Sequence, residues 1–197
     1  MTDTPRVLVV DDEPALLDLY RMWLADIDVD VIRANCGAEA LLRCDDDVDA
    51  VILDRHMPRV SGDEVLAELR QSAGEFRVAF VSAATPDVRI VDLDIDAYLT
   101  KPVTREEYVD LVRSLVRRET ACETVEQYLS SLSKRAALLE SESQSVLRTD
   151  PTYAAFEEEL TRLADCIDSL TFDDPYLRRV LPDDGRLISE SSLDKPV

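Results

Sequence analysis

The stretch RVLVVDDEPALLDLYRMWL, residues 6–24, decides the fold. After Arg6 its opening residues show no polar alternation, as a strand covered on both faces requires. They run straight into Asp11, Asp12 and Glu13. Pro14 then opens an amphipathic stretch to Ala25 with Leu16, Leu17, Tyr20, Trp23 and Leu24 on one face, and proline is favourable in a first helical turn. Strand, acidic turn and helix together make a βα unit. Its three acids crowd a strand end where their repulsion opposes folding unless something is held among them.

The same alternation recurs downstream. VDVIR (29–33), DAVIL (49–53), RVAFV (77–81) and DAYLT (96–100) read as four more strands, with helices over Gly37–Leu42, Gly62–Gln71 and Val103–Val116. The expected fold class is α/β: a (βα)5 doubly wound parallel five-stranded sheet within residues 1–118. In such sheets ligands bind outside the carboxyl ends of the strands. Asp11 and Asp12 end strand 1, Asp54 ends strand 3, Ser82 ends strand 4 and Lys101 follows strand 5, so all of them fall on one edge.

That edge has a chemistry. Three converging carboxylates call for a divalent cation, and Mg2+ prefers hard oxygen ligands from one or two carboxylates together with phosphate oxygens. Asp12 and Asp54 are the direct ligand candidates, with Asp11 acting through a bound water and the His56 backbone carbonyl completing the shell. Glu13 reads as a helix-start charge favoured by the macrodipole. Asp54 stands alone at the end of an apolar strand in VILDRHMP, with Lys101 opposite in YLTKPV. A carboxylate beside a metal and an ammonium is arranged to attack a phosphoryl group, giving an aspartyl phosphate. Ser82 reads either as a donor to a phosphoryl oxygen or as an ordinary strand-end serine, and Tyr98 reads as core.

Length and charge bound the rest. A chain of 197 residues holds one domain of the usual ~100–150 residues plus a smaller unit. Its apolar runs fall well short of the ~20 residues of a membrane span, and MTDTPRV has no apolar signal region, so a cytoplasmic location and no membrane partner are expected. Cys36, Cys44, Cys122 and Cys166 form no C-x-x-C pair and His56 is the sole histidine, which points to reduced structural thiols rather than zinc. Forty-two acids against 22 bases give a net charge of −20, and only Lys101, Lys134 and Lys195 are lysines. Such a surface suits concentrated salt, where self-repulsion is screened, so a halophilic source is expected.

After about residue 118 the pattern becomes purely helical. Val125, Leu129, Leu132, Ala136, Leu139, Ser143 and Val146 form a heptad-like stripe, and Tyr153, Phe156, Leu160, Leu163, Ile167 and Leu170 form a second one. Asp150 before Pro151 is a helix start, and the short break between the stripes predicts an antiparallel C-terminal α-helical hairpin. A short helix over Asp174–Leu181 and a mobile tail over residues 188–197 complete this reading.

VDDEP, LDRHMPRVSG, Ser82 and AYLTKPV, in this order and spacing, resemble the receiver domain of two-component response regulators, of the CheY-like family, over roughly residues 5–118. The resemblance implies a flavodoxin-like fold and phosphorylation of Asp54 by a sensor histidine kinase. It further implies that Ser82 moves toward the phosphoryl group and that Tyr98 turns inward as the switch. AATPDVRIVDLDIDAYLT, between Ser82 and Lys101, is shorter than receivers usually have, so the fourth helix, through which receivers commonly form homodimers, is short at best. VEQYLSSLSKRAALLESE makes residues 119–187 resemble the HalX helical domain of haloarchaeal regulators, which implies a regulatory role.

Two outputs fit the second half. One is a transcription regulator that contacts DNA or the transcription machinery. Residues 119–197 carry 8 bases against 17 acids, with Arg178 and Arg179 a notable basic pair, and this balance opposes phosphate contacts. The other is a protein-interaction module, in which the stripe of the hairpin packs as its own core, docks on the first domain, or pairs with another protein or a second copy of the chain. An enzyme acting on a separate substrate is disfavoured: DDEP lacks the D-x-D spacing of haloacid dehalogenase-like phosphatases, and four scattered glycines supply no G-x-G-x-x-G turn.

Overall fold

A computed structural model describes residues 4–71, 74, 76–116, 123–141 and 143–168. Its strands are β1 (Arg6–Val10), β2 (Asp30–Ala34), β3 (Ala50–Leu53), β4 (Arg77–Ser82) and β5 (Ala97–Thr100). All are parallel, in the order β2-β1-β3-β4-β5. The helices of this α/β layer are α1 (Pro14–Leu24), α2 (Gly37–Arg43), α3 (Gly62–Gln71) and α4 (Arg105–Val116). The doubly wound (βα)5 sheet read from the sequence is thus the observed fold. Between β4 and β5 stands only a 3-10 helix, Val88–Asp92, where the short connection predicted a short helix.

Alternation along each strand divides the core in two. Val7, Val9, Ala50, Ile52, Ala79 and Val81 face α1 and α4, packing with Leu17, Tyr20, Leu24, Tyr108 and Val112. Leu8, Val10, Val51, Leu53, Val78 and Phe80 face the other way, onto Ala40 of α2 and Val65, Leu66 and Leu69 of α3. Period-2 side chains apolar on both faces are what a sheet covered by helices on both sides demands. Local capping sets the helix starts. Glu107 accepts from the Thr104 N–H at 2.7 Å while Thr104 Oγ1 accepts from the Glu107 N–H at 3.3 Å, so α4 begins at Arg105 rather than at Val103. Ser61 and Glu64 form the same box before α3.

The C-terminal helices are α5 (Glu123–Ser141), α6 (Gln144–Leu147) and α7 (Pro151–Asp168). Asp150 Oδ1 accepts from the Thr152 N–H at 2.8 Å, the helix start expected there. Val125 and Tyr128 near the start of α5 pack with Leu160, Leu163 and Ala164 late in α7, while Arg135 pairs with Glu157 at 2.7 Å. These contacts make the pair antiparallel, as the hairpin reading required.

One reading needs correcting. The stripe from Val125 to Val146 is only part of the buried surface: Val125 is buried and Leu129, Leu132 and Leu139 pack against the cores, but Ala136 is exposed and Val146 is 54% exposed, and Tyr128, Lys134, Ala137 and Leu138, outside the stripe, are buried. The reason is that α5 has two neighbours. One side meets α7, and the other joins the core on the α2–α3 side of the sheet through Ala137 and Leu138, together with Leu147 and Tyr153. A helix buried on two sides cannot be described by one narrow stripe. Leu170, the helix proposed over 174–181 and the tail 188–197 lie outside the described residues.

Candidate functional site

Parallel register brings the strand ends level. Val10 pairs with Leu53, Leu53 with Phe80, and Ser82 with Thr100, so the residues following them crowd one edge. Asp11 is 1% exposed and Asp54 7%. Lys101 Nζ lies 2.7 Å from Asp11 Oδ2 and 2.7 Å from Asp54 Oδ2. Ser82 Oγ donates to Asp54 Oδ1 at 2.6 Å, and the His56 N–H donates to the same oxygen at 3.0 Å. Asp11 Oδ1 accepts from the Glu13 N–H at 2.9 Å.

The two carboxyls shift in opposite directions. Burial pushes Asp11 up, and the hydrogen bonds from Lys101 and the Glu13 N–H do not fully offset it. Burial also opposes ionisation of Asp54, but Lys101, Ser82 and the His56 N–H together outweigh it and hold that carboxyl below its ordinary value. Lys101 is held above its ordinary value: burial lowers it, and its hydrogen bonds to Asp11 and Asp54 more than compensate. Three donors thus keep Asp54 ionised, as an attacking carboxylate needs.

Oxygens of Asp11, Asp12 and Asp54 lie within 4.8 Å of one another. Three carboxylates and one ammonium leave an excess of negative charge on hard oxygen donors, which fits a magnesium-like cation. Among the described residues no helix is long and apolar enough to cross a membrane.

Of the residues singled out in the sequence, Asp11, Asp12, Asp54, Ser82 and Lys101 come together. Tyr98 is 2% exposed and donates its phenol to the Ala84 carbonyl at 2.8 Å, two residues beyond Ser82. The His56 side chain is exposed at the rim. The Lys101–Pro102 peptide is cis. Gly62 closes the loop behind Asp54: its N–H reaches the Arg55 carbonyl at 2.9 Å, and a β-carbon there would meet Arg55 Cα at 2.7 Å as well as the Asp54 carbonyl.

Sequence reasoning missed Arg55. It is 9% exposed, forks onto Asp63 with Nε–Oδ1 at 2.9 Å and Nη2–Oδ2 at 3.0 Å, and stands beside the Tyr98 phenol. The available signal was an arginine immediately after Asp54, at the end of an apolar strand. It missed also that α5 side chains reach the β5 edge, where Ser133 Oγ accepts from the Tyr98 N–H at 3.0 Å.

Comparison with known proteins gives a consistent answer. The family model described as response regulator receiver domain matches residues 7–113. A Haloferax volcanii protein named "Putative transcriptional regulator" is 46% identical over 132 residues, which cover 67% of this chain and 23% of that protein. The transcriptional regulatory protein KdpE of Mycobacterium tuberculosis is 37% identical over 124 residues, covering 61% of this chain and 55% of KdpE. The match therefore spans under a quarter of the first relative and about half of the second. Among solved structures, the CheX-CheY-BeF3-Mg+2 complex from Borrelia burgdorferi matches with a TM-score of 0.53 at 23% identity, over 58% of this chain and 90% of that one, a likeness of fold.

Proposed function

The chain belongs to the response regulator receiver domain family, and from that premise we propose that Asp54 is its phosphoacceptor, loaded by a sensor histidine kinase. An Asp54 oxygen attacks the phosphorus of the donor, the bond from phosphorus to the donor's imidazole nitrogen breaks, and an acyl phosphate forms. Hydrolysis of that anhydride returns Asp54 and inorganic phosphate. The observation that carries this reading is the bracketing of one buried carboxylate by Lys101 Nζ at 2.7 Å and Ser82 Oγ at 2.6 Å.

The residues divide the work. Lys101 offsets charge on the transferred oxygens, and it is fixed in place by Asp11. Ser82 supplies a hydroxyl donor on the opposite side of the carboxylate. Asp11, Asp12, Asp54 and the His56 carbonyl are proposed to hold Mg2+, whose charge, when bound, screens the repulsion between the attacking carboxylate and the phosphoryl oxygens. Tyr98 is the proposed switch. The chain is a phosphoacceptor and not an enzyme acting on a separate substrate.

For the output we propose residues 119–187 as a HalX-like module after a receiver over 1–118, acting in the cytoplasm of a salt-adapted cell. Transcription is supported by the names of the relatives. A protein-contact output is favoured over direct DNA contact by the 17 acids against 8 bases in residues 119–197.

The test is labelling by a small phosphodonor such as acetyl phosphate with Mg2+. Wild type takes up one phosphoryl group per chain and Asp54→Asn takes up none. Equal labelling of the Asn variant overturns the assignment.

A further inference from the structure

The stretch between β4 and β5 leaves backbone groups without helical partners, and α5 supplies them. Ser141 Oγ donates to the Pro86 carbonyl at 2.9 Å, Lys134 Nζ to the Leu93 carbonyl at 2.7 Å, and Ser130 Oγ to the Ile95 carbonyl at 2.6 Å. Arg77 of β4 pairs with Glu126. β5 ends the sheet, and the Tyr98 N–H on it is met by Ser133 Oγ at 3.0 Å. Buried backbone groups must find partners, so α5 completes the sheet here rather than merely lying on it.

This seat is joined to the acceptor by one continuous run of hydrogen bonds. Ser82 Oγ donates to Asp54 Oδ1 at 2.6 Å and accepts from the Ala84 N–H at 3.3 Å. The Ala84 carbonyl accepts from the Tyr98 phenol at 2.8 Å, and the Tyr98 N–H reaches Ser133 on α5. Tyr98 also shares a core with Ala137 and Leu138 of that helix. Whatever holds Tyr98 therefore holds residues 82–84, and so the hydroxyl aimed at Asp54.

We propose that Ser133 is a positioning residue for phosphoryl acceptance: by anchoring β5 at Tyr98, seated α5 keeps Ser82 aimed at Asp54, and seating and phosphoryl binding favour one another. The inference rests on the reading of Asp54 given above. A donor already in place spends no free energy on reorganisation when charge arrives, so loosening α5 weakens binding of the phosphoryl group and leaves the cation site untouched. Linkage makes the effect reciprocal, so a phosphoryl mimic tightens α5 by the same factor.

The experiment titrates beryllofluoride, in saturating Mg2+, into the full chain, with Mg2+ alone titrated in parallel. Ser133→Ala is expected to weaken beryllofluoride binding about three- to tenfold, the range set by one hydrogen bond, with Mg2+ affinity unchanged. Ser133→Thr, which keeps the hydroxyl, restores it, and Glu140→Ala on the exposed side of α5 has no effect. Amide exchange across Glu123–Ser141 slows when beryllofluoride is added to wild type. Unchanged beryllofluoride affinity in Ser133→Ala overturns the proposal, as does a parallel loss of Mg2+ affinity, which would reveal general loosening. Failure of wild type to bind beryllofluoride at all counts instead against the assignment of Asp54.

Discussion

Lys101 Nζ and Asp54 Oδ2 stand 2.7 Å apart with side chains only 12% and 8% exposed, and the same ammonium also serves Asp11 Oδ2 at 2.7 Å. One cation thus neutralises part of a two-carboxylate cluster. Removing it leaves buried charge uncompensated, and breaking a buried pair in this way costs about 3–5 kcal/mol. Lys101→Met is therefore expected to lose about 3 kcal/mol or more in metal-free denaturant unfolding near neutral pH. Asp54 is held below its ordinary value, so the stability it gains from Lys101 is present above the unfolded value near 3.9 and disappears as pH falls through the folded one. The variant's deficit should narrow in acid. A deficit that stays constant from neutral pH into that range would contradict the pairing.

Metal binding supplies a second test. Ligands that bind only the folded chain stabilise it by mass action, about 2.7 kcal/mol at one hundred times the dissociation constant. Mg2+ at that excess should raise wild-type stability by about this amount. Asp12 lies within the 4.8 Å carboxylate group yet is only half-buried. Asp12→Asn is expected to abolish most of the Mg2+ effect while its metal-free stability equals or exceeds wild type, because one repelling charge is gone. Paired melts with Mg2+ and with EDTA decide it.

The strands and the site were legible because each rests on a simple rule. RVLVV and AVIL are apolar at every core position because both faces of their sheet are covered, and a parallel sheet then puts Asp11, Asp54, Ser82 and Lys101 on one edge. The seat of α5 was not legible, because a helical stripe implies one partner and α5 has two. Lys134 shows the difficulty: in the sequence it is one cation in an amphipathic helix, where solvent exposure is the default reading. Its burial depends on the carbonyls of Val91 and Leu93, more than forty residues earlier, which turn toward α5 around a 3-10 helix. Arg55 was hidden for the same reason, since its partner Asp63 belongs to the next helix.

Gly62 links the loop after Asp54 to the start of α3. A methyl group there would collide with backbone, the Asp54 carbonyl and Arg55 Cα, rather than with a side chain able to turn away. Gly62→Ala should destabilise the chain by about 1–3 kcal/mol, as other forced backbone shifts do. It should also slow phosphodonor labelling, because the displaced atoms carry Asp54 itself. Wild-type stability and labelling together would show that the loop yields more easily than its packing implies.

Lys134 offers a prediction with a definite sign. Burial lowers its proton affinity below that of a free lysine, and Asp94, Asp96 and Asp92 only partly restore it. Between the folded value and the unfolded one near 10.4, the unfolded chain binds more protons than the folded chain. Stability from this group accordingly rises with pH across that window, opposite to the contribution of Lys101, whose folded value is raised. Lys134→Met keeps the apolar stem and removes the titration while leaving Lys101 and the tyrosines unchanged, so their contributions cancel in the difference. The stability of wild type relative to Lys134→Met should therefore be greater at pH 10.5 than at pH 8, the two conditions being chosen to bracket the window around about 10.4. Denaturant midpoints of the two proteins at each pH measure this difference. If it shrinks on going alkaline, the ammonium is better solvated than its seat against the Leu93 carbonyl implies.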